Sequence, residues 1–312
     1  MKRNFRELVQ DSRVFLQAKQ SRFLPNVFVA IILFLGIMFV GEALSVFPGL
    51  VVRKFFMFRG ANGRALDFTI RMLLIPCGFS ILAFFGWVKF VERRPICTMG
   101  FEKDNFIRKY IRGFVIGFLM LSICAGIFGI FNLVTIDNSN SSVKGLNALS
   151  GIFIVLIGWI VQGASEEVMV RGWLMPVIGA RHNAIFGIFV SSIIFGALHL
   201  ANSNIGVLPM INLILFGIFA AFYVVWEGGL WGICAVHSAW NWAQGNIFGF
   251  EVSGIIPAGG ILIDLDPIKG NDIITGGPFG VEGGLVCSIV LLTGIVILIM
   301  LINKRNFRNL IK

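Results

Sequence analysis

The stretch Ser165-Glu166-Glu167-Val168-Met169-Val170-Arg171 sets three charged side chains inside a run that is otherwise uncharged from Leu146 to Ile178. Charges within apolar segments of bilayer length are costly and rare, and they mark functional sites. On a helix, neighbours such as Glu166 and Glu167 point about 100° apart. Arg171 stands four residues beyond Glu167, the spacing that brings two side chains together. A buried Glu167–Arg171 pair would neutralise both charges and leave Glu166 free to face a cavity. The competing reading, an ion cluster that only holds helices together, has to bury a third charge for architecture alone, which is expensive.

The surroundings of this stretch decide the fold class. The chain has 312 residues, of which 57% are hydrophobic and 13% charged, with a mean hydropathy of +0.87. A soluble domain carries about a quarter charged residues, so that class is excluded. Apolar runs recur at lengths suited to crossing ~30 Å of hydrocarbon as helices. The expectation is an all-α, polytopic membrane helix bundle with about eight transmembrane helices, near 27–47, 68–91, 113–134, 146–178, 184–200, 207–226, 229–249 and 284–303. The five cysteines lack CxxC spacing. A disulfide framework is therefore not expected, and four of the five should pack as small apolar residues.

Charge placement orders the rest. The net charge of +10 resides beside the apolar runs, where it sets topology and meets anionic lipid head groups rather than nucleic acid. Residues 1–26 carry six Lys/Arg among apolar residues and read as a cytoplasmic amphipathic N-terminal segment. Residues 27–303 form the transmembrane bundle, with a catalytic core at 146–249, and 304–312 form a basic cytoplasmic tail. Both termini and the basic stretch 92–112 share the cytoplasmic side. The basic residues Arg53, Lys54, Arg59 and Arg64 run against this scheme, because the loop after the first span then lies outside. Residues 250–282, rich in Gly, Pro and Asp with one Lys against five acids, read as an external loop. The polar turn Asp137–Ser142 closes the third span. Gly113 and Gly117 form a GxxxG pair suited to close helix packing.

Two of the three histidines fall in apolar spans. His199 ends Phe195-Gly196-Ala197-Leu198-His199, and His237 stands four residues before Asn241, hence on one helix face. At 1.5 Å per residue, antiparallel neighbours joined by the short turn at 179–183 would bring Glu166 and His199 level, about 20 Å above it. Glu166, His199, His237 and Asn241 can then converge on one internal pocket. A desolvated glutamate can take a proton from water near neutral pH, His199 can share or relay it, and His237 and Asn241 can donate to a developing oxyanion. Alternatively Glu166, His199 and His237 ligate a divalent metal such as zinc. HExxH is absent, so zinc does not follow from motif, and a metal-free route stays open.

These residues, in this order, resemble the CPBP family of CAAX prenyl endopeptidases, bacteriocin-processing and Abi proteins. EExxxR is present as Glu166 to Arg171, FxxxH as Phe195 to His199, and HxxxN as His237 to Asn241. The resemblance implies an intramembrane metalloendopeptidase of the type II CAAX prenyl endopeptidase class. Its substrate would be a membrane-associated or lipid-anchored peptide or protein, and its setting a multi-pass position in a bacterial cytoplasmic membrane. It makes Glu166 the base with His199, makes His237 and Asn241 the oxyanion site, and gives Glu167, Arg171 and Phe195 supporting places. Two rival readings use the same residues: a proton-coupled transporter, and a non-catalytic immunity or sensor protein.

Overall fold

The computed structural model describes residues 4–56, 58–137 and 143–310, without the side chains beyond Lys304. Lys2, Arg3, the polar turn at 138–142 and the basic side chains from Arg305 onward lie outside the described residues. The order is α1 (Phe5–Gln10), α2 (Arg13–Ala18), α3 (Val27–Phe55), α4 (Gly60–Val91), α5 (Phe106–Ile130), β1 (Val134–Ile136), α6 (Gly145–Arg181), α7 (Ala184–Ala197), α8 (Val207–Glu227), α9 (Trp231–Trp242, continued by a wider turn over Ala243–Ile247), β2 (Leu265–Pro267) and α10 (Leu285–Leu310). The chain is an all-α polytopic bundle. Among the described residues the sheet is the antiparallel β1–β2 pair, in which Thr135 faces Asp266.

Among the described residues, six helices are long and apolar enough to span a bilayer: α3, α4, α5, α6, α8 and α10 to Lys304. The helices in the places of the expected fifth and seventh spans are shorter, 14 residues in α7 and 12 in α9. Twelve residues rise only about 18 Å. Each of these two elements carries or leads to a histidine motif; α9 is buried from Gly232 to Trp242, whereas α7 buries one face and leaves Phe186, Phe189 and Ile193 exposed. The first span is longer than its hydropathy suggests. Arg53 and Lys54 belong to the last turn of α3 and Arg64 to the start of α4, so the basic stretch after span 1 is mainly helix rather than loop.

Local signals set the ends. Asn26 caps α3 by accepting the Val29 N–H, and Asn183 caps α7 through the Phe186 N–H. Gly228, with φ of 77°, ends α8 in the left-handed region. The side chain of Gln10 reaches the same α6–α7 corner, where its Oε1 accepts the Ala184 N–H at 2.7 Å. Phe15, wholly buried, lies against Gly179. Residues 5–18 are thus packed on the bundle through Val9, Val14, Phe15 and Ala18.

Two contacts position the central helices. The GxxxG pair on α5 faces α9: a Cβ at Gly113 would strike the Gly232 carbonyl, and one at Gly117 the Val236 carbonyl. Backbone thus meets backbone beside His237. At the other end, Trp173 Nε1 donates to buried Glu92 at 2.5 Å, and Arg94 pairs with the same carboxylate at 2.5 Å. All five cysteines are free; Cys124, Cys234 and Cys287 are buried, Cys77 is half-buried and Cys97 is exposed. Lys144 bridges Asp137 at 2.8 Å and Asp264 at 2.7 Å, fixing the 250–284 segment over the end of α6.

Gly117→Val should displace α9 and cost about 1–3 kcal/mol by overpacking. Gly126→Ala, on the same helix but facing open space, should change stability little. Thermal unfolding in detergent checks the pair, and equal midpoints would contradict the close contact.

Candidate active site

The charged stretch lies where α6 changes its winding. From Val168 to Leu174 the helix widens into i→i+5 turns, with the Met175 N–H bonded to the Val170 carbonyl. Such turns occur frequently at functional sites. The widening follows directly on Glu167 and contains Arg171, and every residue from Glu167 to Gly179 is buried.

Glu167 and Arg171 are both wholly buried, with Arg171 Nη1 at 3.2 Å from Glu167 Oε1. The same oxygen faces His237 Nδ1 at 2.9 Å. Arg171 also lies over the Phe195 ring, its Cζ 4.3 Å from the centroid. This cation–π contact suits a planar guanidinium better than an ammonium. The pairing expected from helix spacing is therefore present, and it is joined to a second helix through His237.

Glu166 points the other way. Its side chain keeps 22% exposure, and its Oε2 lies 3.7 Å from His237 Nε2. Its Oε1 accepts the Gln162 amide at 2.6 Å, and Gln162 Oε1 in turn accepts the Asn241 amide at 2.9 Å. One ring thus runs Glu166–Gln162–Asn241 and returns along α9 to His237. His199, just beyond the end of α7, bonds through Nδ1 to the Phe195 carbonyl at 2.9 Å. A carbonyl accepts only, so Nδ1 carries the proton and Nε2 is the lone-pair nitrogen of the neutral ring.

Glu166, His199, His237 and Asn241 line one cavity of about 560 Å³, together with Phe195, Phe216, Trp159 and Gln162. Their convergence follows from the α6–α7 hairpin and from the α5–α9 contact. The far end of the cavity is roofed by the 250–284 segment. There Asn202 donates to the Ser253 carbonyl at 3.0 Å, and Glu282 accepts from both the Ser253 N–H and hydroxyl.

Sequence reading missed Gln162, the link between two motifs, although an amide one turn before Glu166 in an apolar run was a usable signal. It also missed Glu42, the sole charge between Val27 and Val52, which lines the same cavity. His182, at the corner after α6, is outside the site. Among the described residues no group of three or more His, Cys, Asp or Glu side chains is arranged to hold a metal ion.

Removing one partner of a buried pair leaves an uncompensated charge, at a cost of about 3–5 kcal/mol. Arg171→Ala should therefore lower the unfolding midpoint sharply, and Arg171→Lys, which cannot stack as flatly on Phe195, should rescue it only in part. Full rescue by lysine would show that charge alone matters there.

No curated protein and no solved structure matches the chain. A family model does match, and it covers residues 148–243, the part of the chain that contains Glu166, Glu167, Arg171, Phe195, His199, His237 and Asn241. That model describes Rce1-like type II CAAX prenyl endopeptidases, so residues 148–243 are similar to a domain of that protease family, within a multi-pass integral membrane protein.

Proposed function

We propose that the protein is an intramembrane endopeptidase that hydrolyses a peptide bond of a membrane-associated or lipid-anchored peptide, with Glu166 activating the water. The observation that carries this reading is the cavity-facing Glu166, held between Gln162 and His237 within an apolar bundle. A water at Glu166 loses a proton to the carboxylate as its oxygen attacks the scissile carbonyl carbon. Negative charge then develops on the carbonyl oxygen. The Asn241 amide has a second N–H beyond the one given to Gln162, and His237 presents Nε2 toward the cavity. Together they supply the donors that stabilise that charge.

Charge balance suits this role for His237. Glu166 and Glu167 are offset by Arg171 alone, and an imidazolium at His237 brings the sum to zero. Its Nδ1–H is then held by Glu167, and its Nε2–H is free for the oxyanion. When the C–N bond breaks, the departing amine takes the proton from Glu166, directly or through the basic Nε2 of His199. The products are a carboxylic acid and an amine. Glu167, Arg171 and Phe195 are positioning residues that fix His237.

The mechanism routes no step through a metal. The chain's setting in this reading is the bacterial cytoplasmic membrane with both termini cytoplasmic, and anionic head groups contact its basic ends. A proton-coupled carrier would also need intramembrane carboxylates, and an immunity protein would not, but neither requires the oxyanion donors.

Glu166→Gln keeps the size of the side chain and removes the base. With purified protein in lipid and membrane-inserted peptides, turnover should fall by about 10²–10⁴-fold while the unfolding midpoint holds; undiminished turnover would overturn the assignment. Dialysis against a strong chelator, followed by metal analysis, should leave activity in place. Loss of activity restored by zinc would instead assign the cavity to a metalloprotease.

A further inference from the structure

Glu42 sits at mid-helix in α3, where a lone carboxylate has to find either a partner or a polar cavity. It lines the same cavity as Glu166, on the wall formed by α3 and α4. Its Oε1 accepts the Ser80 hydroxyl at 3.3 Å, a neutral donor that leaves the charge uncompensated. No Lys, Arg or His forms an ion pair with it among the described residues. Cys77, on α4, lines the same cavity.

The charge of the cavity as a whole points the same way. Its described lining holds Glu42, Glu166 and Glu282, two histidines, and neither Lys nor Arg, although the chain carries a net charge of +10. The three carboxylates differ in what already holds them. Glu166 is engaged by Gln162 and His237, and Glu282 by two donors of Ser253. Glu42 alone faces the cavity with a single weak hydrogen bond. A carboxylate so placed attracts a cation and disfavours an anion.

We propose that Glu42 is a specificity-determining residue, which receives a lysine or arginine side chain of the peptide whose backbone lies across Glu166. This rests on the endopeptidase reading for what happens next, but not for binding. The apolar walls contributed by Met38, Met72, Phe68 and Leu291 suit the aliphatic stem of such a side chain, leaving its charged end for the carboxylate.

The test uses the full chain carrying Glu166→Gln in lipid nanodiscs, so that binding is read without cleavage. Three fluorescein-labelled apolar peptides differ only at one central position, which is lysine, norleucine or glutamate. Fluorescence anisotropy should show the lysine peptide binding about two- to fivefold more tightly than the norleucine peptide, as one ion pair at an exposed carboxylate allows. Adding Glu42→Gln should erase that preference, and adding Glu42→Lys should transfer it to the glutamate peptide. Unfolding midpoints confirm that each variant is folded.

Equal binding of the lysine and norleucine peptides, or no measurable binding of the lysine peptide, overturns the proposal. So does a preference that survives Glu42→Gln. Failure of the endopeptidase reading looks different: the wild-type chain would bind the lysine peptide selectively and never cleave it. Equal cleavage of lysine and norleucine peptides would leave proteolysis standing and remove the role given to Glu42.

Discussion

Everything at the centre of this protein depends on the wholly buried contact of Glu167 with Arg171 and His237. A carboxylate in such surroundings is tolerable only if it is paired and hydrogen-bonded. Here the partners come from two places, one turn along the same helix and a facing helix. The pair thereby ties α6 to α9 at the level where Glu166 faces the cavity. Phe195 extends the tie to α7 by lying under the guanidinium. One electrostatic requirement thus fixes three helices against each other, and Glu166, His199, His237 and Asn241 line one cavity.

The rest of the structure serves that arrangement. The α5 glycines let a helix backbone approach α9 closely enough to hold His237 in register. Glu92 and Arg94, buried together, hold Trp173 and with it the widened turn of α6. Gln10 and Phe15 steady the corner between α6 and α7 from the N-terminal side. The 250–284 segment roofs the far end through Ser253 and Glu282. Short helices and irregular backbone are tolerated at such depth only where protein or a water-filled cavity surrounds them, and α9 lies in that setting.

Much of this was legible in the amino-acid sequence, and the parts that were not share a physical cause. Bilayer-length hydropathy finds helices such as α3 and α10, and i,i+4 spacing alone finds the Glu167–Arg171 pair. Hydropathy does not register winding, so the widened turn at 168–174 left no trace in composition. It also counts apolar length rather than helix length. The runs holding α7 and α9 therefore read as full spans, although only six described helices have that length. Gln162 is neutral and drew no notice beside two glutamates, yet it joins Glu166 to Asn241 across helices. Glu42 was open to the same rule that singled out Glu166, and only the shared cavity shows why it matters.

The central claim is that Glu166 performs hydrolysis on a peptide within the membrane. Comparative membrane proteomics of cells carrying the wild-type chain or Glu166→Gln tests it most directly, because every membrane-associated protein in the cell is screened as a substrate at once. The account predicts at least one membrane-associated precursor that accumulates uncut in the variant, with the corresponding new terminus found only in the wild type. Identical sets of termini in the two strains, with both proteins present at equal levels, would contradict it.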